Sequence, residues 1–215
     1  MKNTPRLREP ATSLALYRGL KWSVVNPILH LYLGGKVYGI ENVPIKGPAI
    51  AVSNHASNFD PPFLSVSLRR PVAFMAKEEL FQVPVFGDLI RLYGAYPVKR
   101  GSGDRGAIRA ALNALDEGWI VGVFLEGTRT PDARIHNPKL GAAMIAAKAQ
   151  VPLLPVSLWG TEKIVKKGSN VPRRVPVTIR IGELIPPPAS SKREDIEGVT
   201  RECQERIHAL HDLGR

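Results

Sequence analysis

At 215 residues the chain is long enough to bury a full hydrophobic core, and with 44% hydrophobic and 23% charged residues its composition is globular, not disordered. The 30 basic residues against 19 acidic give a net charge of +11, which favours an anionic partner: nucleic acid, acidic lipid head groups or a phosphorylated substrate. Cys203 is the only cysteine, which excludes an internal disulfide and any multi-cysteine metal site and suits a reducing cytosol.

Residues 1–11 read as a flexible N-terminus, polar and carrying Lys2, Arg6 and Arg8, with no secretory apolar segment directly behind it. Residues 12–35 form a second unit. Thr12 and Ser13 are N-cap candidates, and Leu14, Tyr17, Leu20, Val24 and Val25 recur at helical spacing. Pro27 is expected to kink or end this helix, and a shorter apolar piece from Ile28 to Leu33 runs to Gly34 and Gly35, so a helical pair is predicted. Arg18, Lys21, Asn26, Pro27 and His30 interrupt the roughly 20 apolar residues that a spanning helix needs. Tyr17, Trp22 and Tyr32 among Arg18 and Lys21 have the composition of a membrane-interface element; the alternative is packing on the protein's own core.

Residues 36–215 alternate short apolar runs with helical patterns. Strands are expected at Lys36–Ile40, Ala49–Ser53, Val72–Ala76, Ala95–Val98, Trp119–Leu125, Leu153–Leu158 and Val175–Ile181. Helices are expected at Pro61–Leu68, Val83–Leu92, Asp104–Glu117 and Pro138–Ala149, with Asp104 as a cap, Gly118 at an exit and Asn137–Pro138 as a first-turn signal. A terminal helix follows Pro186–Pro188, with Ser191 and Glu194 as a capping box and Ile196, Val199, Cys203, Ile207 and Leu210 on its apolar face. The alternation predicts a single α/β domain with a mixed, largely parallel sheet flanked by helices, plus the N-terminal interfacial helical pair.

The run from Ala51 to Pro62 takes an apolar strand into a polar cluster and then into a Pro-Pro helix start. It leaves His55 at the strand end and Asp60 as a natural N-cap, flanking a tight turn. A carboxylate on one ring nitrogen would fix the imidazole tautomer and leave the other nitrogen to accept a hydroxyl proton. A surface histidine beside an ordinary capping aspartate is the competing reading. After the Trp119–Leu125 strand come Glu126, Gly127, Thr128 and Arg129: a glycine that admits a ligand to the backbone, a hydroxyl donor, and a guanidinium suited to phosphate. A plain glycine turn with solvated charges would look the same. Gly94 to Arg100 is another short strand ending in cations, and Val151 to Ser157 is a buried strand bracketed by Pro152 and Pro155. There is no G-x-S-x-G elbow, no Walker A loop and no G-x-G-x-x-G fingerprint, and no cluster has metal-ligand spacing. Ser57 near His55 makes a weak hydrolase case.

Taken together these segments resemble the glycerolipid acyltransferase superfamily, in its 1-acylglycerol-3-phosphate (lysophosphatidate) acyltransferase branch. The blocks N-H-x-S-x-x-D, G-x-x-F/Y-x-x-R, F-P-E-G-T-R-S and V-P-x-x-P-V stand, in order, at Asn54–Asp60, Gly94–Arg100, Phe124–Thr130 and Val151–Val156. The resemblance implies that His55 is the general base and Asp60 its orienting partner. It implies that Arg100, Glu126, Gly127 and Arg129 hold the acceptor's glycerol-phosphate, with Thr128 alongside and Lys139 in a matching basic position. It further implies lysophosphatidate and acyl-CoA or acyl-carrier protein as substrates, phosphatidate as product, no cofactor, and an anionic membrane surface as partner. A peripheral position on the cytoplasmic face is then expected. Leu125 replaces the usual proline, Lys99 replaces a frequent acidic residue, and Asn58 and Phe59 differ from the common pair. Glycerol-3-phosphate or another lyso-lipid is the alternative acceptor. A nucleic-acid-binding protein is the remote alternative, and no nucleic acid is expected because the cations fall in scattered pairs such as Arg69-Arg70 and Lys166-Lys167, without exposed stacking aromatics.

Overall fold

In the computed structural model, which describes residues 11–84, 86–92, 95–98, 105–165 and 171–215, the apolar runs assemble into one sheet. Its strands are β1 (Lys36–Tyr38), β2 (Ala49–Ser53), β3 (Val72–Lys77), β4 (Tyr96–Val98), β5 (Ile120–Phe124), β6 (Leu153–Trp159) and β7 (Thr178–Ile181), in the order β1-β7-β6-β2-β5-β3-β4. Neighbours are parallel except β6 and β7, so β7 and its parallel partner β1 run against the other five. The expected mixed, largely parallel sheet is present.

β2 lies at the centre, with Val52 opposite Val123 of β5 on one side and Pro155 of β6 on the other. All of its residues are buried, because both faces of the sheet are covered and an unbroken apolar run is then favoured over alternation. One face packs Ile50, Val52 and Val121 against α4 (Arg105–Asp116), α5 (Gly141–Ala149) and α6 (Arg193–Asp212). The other packs Ala49, Ala51 and Leu154 against Phe63 and Leu64 of α2 (Asp60–Ser67) and Leu29 and Leu33 of the N-terminal segment. The remaining helix, α3 (Phe86–Leu92), lies on the β3–β4 side in sequence.

Pro155 sits inside β6 without disrupting it. Its carbonyl accepts the N–H of Gly182 at 2.8 Å, just past the end of β7. The N–H that proline lacks would point to the same edge, where the β7 ladder has already stopped.

Several local signals act differently from expectation. The N-terminal helix α1 starts by Ala11, so Thr12 and Ser13 lie within it and not at its cap. It continues past Leu20 as wider π-helical turns over Lys21–Val25 and Pro27–Tyr32, giving one continuous helix where Pro27 had predicted a pair. The i→i+5 pattern, seen in Asn26 N–H to Lys21 and Leu33 N–H to Ile28, carries the backbone past the missing N–H of Pro27. Gly34 then ends the helix at φ +56°. Among the described residues no helix is long and apolar enough to cross a membrane.

At α5, Asn137 and Pro138 do not form the first turn; the helix starts at Gly141 because the N–H groups of Asn137 and Lys139 are bound to Glu126 and to the Leu125 carbonyl. At α6 the predicted box of Ser191 and Glu194 is absent. The helix begins after Lys192, whose N–H is accepted by Ser190 Oγ, and the Ser190 hydroxyl in turn donates to Asp195. Gly118 does end α4, at φ +84°. Asp104 lies outside the described residues.

The fully buried residues of α6 are Ile196, Thr200, Cys203, Ile207 and His211; the expected Val199 packs half-buried against the same core, Leu210 is likewise half-buried, and two polar residues join the face. Thr200 returns its hydroxyl to the Ile196 carbonyl, and His211 Nδ1 meets Ser157 Oγ of β6 at 3.1 Å. Burial, helped by the charge of Arg134, lowers the pKa of His211. The unfolded chain therefore takes up a proton before the folded one does, so stability falls as pH drops below the ordinary histidine value of about 6.5. Urea midpoints should be lower at about pH 5.5 than at about pH 7.5, and His211→Gln should reduce that difference.

Candidate active site

The chain leaves the centre of the sheet at Ser53 and must turn into α2 within a few residues. Asn54, 1% exposed, anchors this exit. Its Nδ2 donates to the carbonyls of Ala133 and Leu158 at 2.9 and 2.8 Å, and its Oδ1 accepts the Leu158 N–H at 2.8 Å. Asp60 then opens α2, but not as the expected N-cap. Pro61 and Pro62 remove amides of the first turn, and the carboxylate turns back to the segment before it. Asp60 Oδ2 accepts the N–H groups of Ala56 and Ser57, each at 2.7 Å, and His55 Nδ1 at 2.8 Å.

A carboxylate oxygen only accepts, so His55 Nδ1 carries the hydrogen and Nε2 is left as the basic nitrogen. The imidazole face lies on Phe124 at the end of β5, with ring centroids 3.9 Å apart and planes 15° from parallel. Phe124 in turn stacks on Phe74 of β3. The His55 carbonyl accepts the N–H of Thr130 at 2.8 Å. The ring is thus fixed by edge, face and backbone, while its side chain keeps 17% of its exposure and Asp60 keeps none.

The second predicted cluster leaves β5 beside this turn, because β2 and β5 are parallel and in register to their C-terminal ends. Ligand sites of open α/β sheets lie at this edge. Leu125, where the resembled pattern has proline, donates its N–H to the Ser53 carbonyl at 2.9 Å and prolongs the β2–β5 ladder, a bond that proline would lack. Gly127 takes φ +75°, where a glycine carries no Cβ penalty, and its N–H returns to the Phe124 carbonyl. Glu126 is 7% exposed, and its Oε2 accepts the N–H groups of His136 and Asn137 at 2.7 and 2.8 Å. This carboxylate braces the loop. Arg129 is exposed, and its Nη1 donates to Asn58 Oδ1 at 2.9 Å, which ties the guanidinium to the His55 turn. Thr128 and Lys139 are exposed on the same loop system, with Lys139 Cγ close to Gly127.

The fold therefore gathers His55, Asp60, Glu126, Gly127, Thr128, Arg129 and Lys139 at one sheet edge. Arg100, with Gly94 and Lys99, lies outside the described residues. Asn54, Asn58 and Phe124 are functional positions for which the sequence alone suggests no role. An amide directly after a buried strand, Ala49–Ser53, is a usable signal for Asn54. Nothing local marks Phe124, which reads as one more core residue of β5.

Fold and geometry together define the class: a mixed α/β protein with a histidine–carboxylate pair and a cationic loop at the C-terminal edge of its parallel strands. The acyltransferase family model matches residues 35–159, and the chain belongs to that family. It is 36% identical over 137 residues to a chloroplastic 1-acyl-sn-glycerol-3-phosphate acyltransferase of Brassica napus, a match covering 62% of this chain but 40% of that protein. With the 1-acyl-sn-glycerol-3-phosphate acyltransferase of Bacillus subtilis it shares 36% identity over 146 residues, covering 66% and 72% of the two chains. The crystal structure of the 1-acyl-sn-glycerophosphate acyltransferase PlsC from Thermotoga maritima superposes with a TM-score of 0.72 at 32% identity, over 92% of this chain and 79% of that one.

Replacing Glu126 by alanine leaves two partly buried N–H groups without their acceptor. The variant should lose about 1–3 kcal/mol of unfolding free energy in urea titrations, a loss that an exposed ligand-binding carboxylate would not produce.

Proposed function

We propose that this chain is a 1-acylglycerol-3-phosphate O-acyltransferase. It moves a fatty acyl group from an acyl thioester, acyl-CoA or acyl-carrier protein, to the free hydroxyl of lysophosphatidate and yields phosphatidate for phospholipid synthesis. The observation that carries this reading is the 2.8 Å contact of His55 Nδ1 with buried Asp60, in a turn to which Arg129 is also tethered. The names of the Brassica, Bacillus and Thermotoga relatives support the choice of acceptor.

In this reading His55 Nε2 takes the proton of the acceptor hydroxyl as that oxygen attacks the thioester carbonyl. Asp60 holds the ring in the required tautomer and stabilises the imidazolium that forms. The C–O bond forms, the tetrahedral adduct collapses, the C–S bond breaks, and the imidazolium proton passes to the departing sulfur. No acyl-enzyme is needed. The acceptor phosphate is held by the guanidinium of Arg129 with Gly127, Thr128 and Lys139, and by Arg100 from the neighbouring block. Glu126 contributes by setting the shape of the loop that presents them.

The acceptor is a bilayer lipid, so the chain is placed as a peripheral protein on the cytoplasmic face, seated by residues 12–35. Trp22, Leu31 and Tyr32 support this, being 70%, 77% and 44% exposed on α1. Tyr17 belongs to the core instead: it is 2% exposed and its hydroxyl donates to the Ser65 carbonyl.

The test is acyl transfer from oleoyl-CoA and from oleoyl-acyl-carrier protein to lysophosphatidate in vesicles. Wild type should form phosphatidate, and His55→Ala should lower kcat about 10²–10⁴-fold. Arg129→Ala should act mainly by raising the acceptor KM. Absence of product from wild type with both donors would overturn the lysophosphatidate assignment. Undiminished product from His55→Ala would overturn the role given to His55.

A further inference from the structure

A cavity of about 550 Å³ lies between α1, the end of α2 and the segment around β1. It is far from the His55 turn. Asp60 opens α2 and Arg69 follows its last turn, some nine residues or about 13 Å further along the axis. Val37 and Ile40 bring the β1 side of the sheet into its lining, and in the strand order β1-β7-β6-β2 two strands stand between β1 and the strand that leads to His55.

The lining carries Arg18, Lys21 and Arg69, together with Trp22, Asn26 and His30, and among the described residues no acidic one contributes to it. Among the described residues none of the three cations forms an ion pair. Lys21 Nζ reaches the Tyr17 hydroxyl at 3.5 Å and lies over the rings of Tyr17 and Trp22. Burial, and then the charge of Arg69, lower its pKa, as befits an ammonium with no counter-charge nearby. Asn26 Oδ1 is buried there without a partner among the described residues, and the opposite rotamer of its amide would present an N–H donor instead. Arg69 occupies φ +55° directly after α2, a position where glycine is the unstrained choice. A strained arginine, a desolvated lysine and a second arginine converge on a cavity to which no described residue contributes an anion.

We propose that this cavity is a phosphate-binding site separate from the reaction site, taking the phosphate group of a bilayer lipid or of a soluble phosphate ester. Guanidinium groups match phosphate oxygens in pairs, and the ammonium adds a point charge. Exposed Trp22 on the rim, with Leu31 and Tyr32 further along the same helix, favours the lipid source. The site depends neither on the acyl donor nor on the acceptor, so it can be read out with no substrate present.

The experiment uses the full chain and vesicles of the neutral, phosphate-free lipid digalactosyldiacylglycerol, doped to equal charge with either phosphatidylglycerol or oleate. Arg18→Gln with Lys21→Gln is compared with a charge-matched control, Lys148→Gln with Lys192→Gln, and Arg69→Gly separately with Lys148→Gln alone. Glycine at position 69 relieves the backbone, so loss of folding does not explain loss of binding in that variant. A second arm measures Tm in sodium phosphate against sodium chloride at matched ionic strength. A lipid source predicts that the cavity variants lose at least about tenfold in affinity for the phosphatidylglycerol vesicles, and clearly less for the oleate vesicles. A soluble source predicts that phosphate raises the Tm of wild type and of the control but not of the cavity variants. Cavity variants that behave like the control in both arms overturn the site, whatever the acyl-transfer assay gives.

Discussion

The Asp60 carboxylate is fully buried, and one of its oxygens receives Ala56 N–H, Ser57 N–H and His55 Nδ1. Burying a carboxylate costs several kcal/mol unless its hydrogen bonds are replaced, and charge-assisted bonds at 2.7–2.8 Å are the strong kind that replace them. Replacement is only partial, since Oδ1 has no partner among the described residues. What the fold obtains is a fixed turn: the chain between β2 and α2 is wound around one oxygen, and the imidazole has a single orientation. The loop after β5 is tied to that turn at two points, Arg129 through Asn58 and Thr130 through the His55 carbonyl.

The turn would be isolated without the parallel pairing of β2 and β5. Registered parallel strands end together, so the loop after β5 emerges beside the loop after β2. The Leu125 N–H to Ser53 bond carries the ladder to the last residue before both loops, and Phe124 supplies the surface on which the imidazole rests. Glu126 then pins its loop to residues 136 and 137, and this displaces the start of α5 to Gly141. Carboxylates do opposite work in the two loops: Asp60 fixes a reactive ring, and Glu126 fixes backbone.

The positive charge is likewise divided by environment. Arg70 is 3% exposed and donates to the carbonyls of Pro44, Gly47 and Gly118, so it closes loops at the N-terminal edge of the sheet and offers nothing to a ligand. Its neighbour Arg69 faces out and borders the cationic cavity. Two adjacent arginines that look alike in the chain thus have unrelated physical roles. A net charge of +11 alone would have suggested one diffuse electrostatic surface.

Local chemistry was legible from the residues themselves. Apolar runs marked the seven strands, Gly34 and Gly118 marked helix ends, and a histidine followed by an aspartate and two prolines marked a strand-to-helix turn. Those features depend on which residues carry an N–H, a Cβ or a charge, and a linear chain displays that directly. The direction in which Asp60 points was decided by the fold, because a carboxylate facing Pro61 and Pro62 finds too few amides ahead and turns to those behind. The bracing role of Glu126 and the support of His55 by Phe124 also had no local signature. Asn58 and Arg129 stand 71 positions apart and meet only because two central strands end at the same edge. The residue types able to do the chemistry are a property of the sequence, whereas their meeting is a property of the sheet that aligns the strand ends.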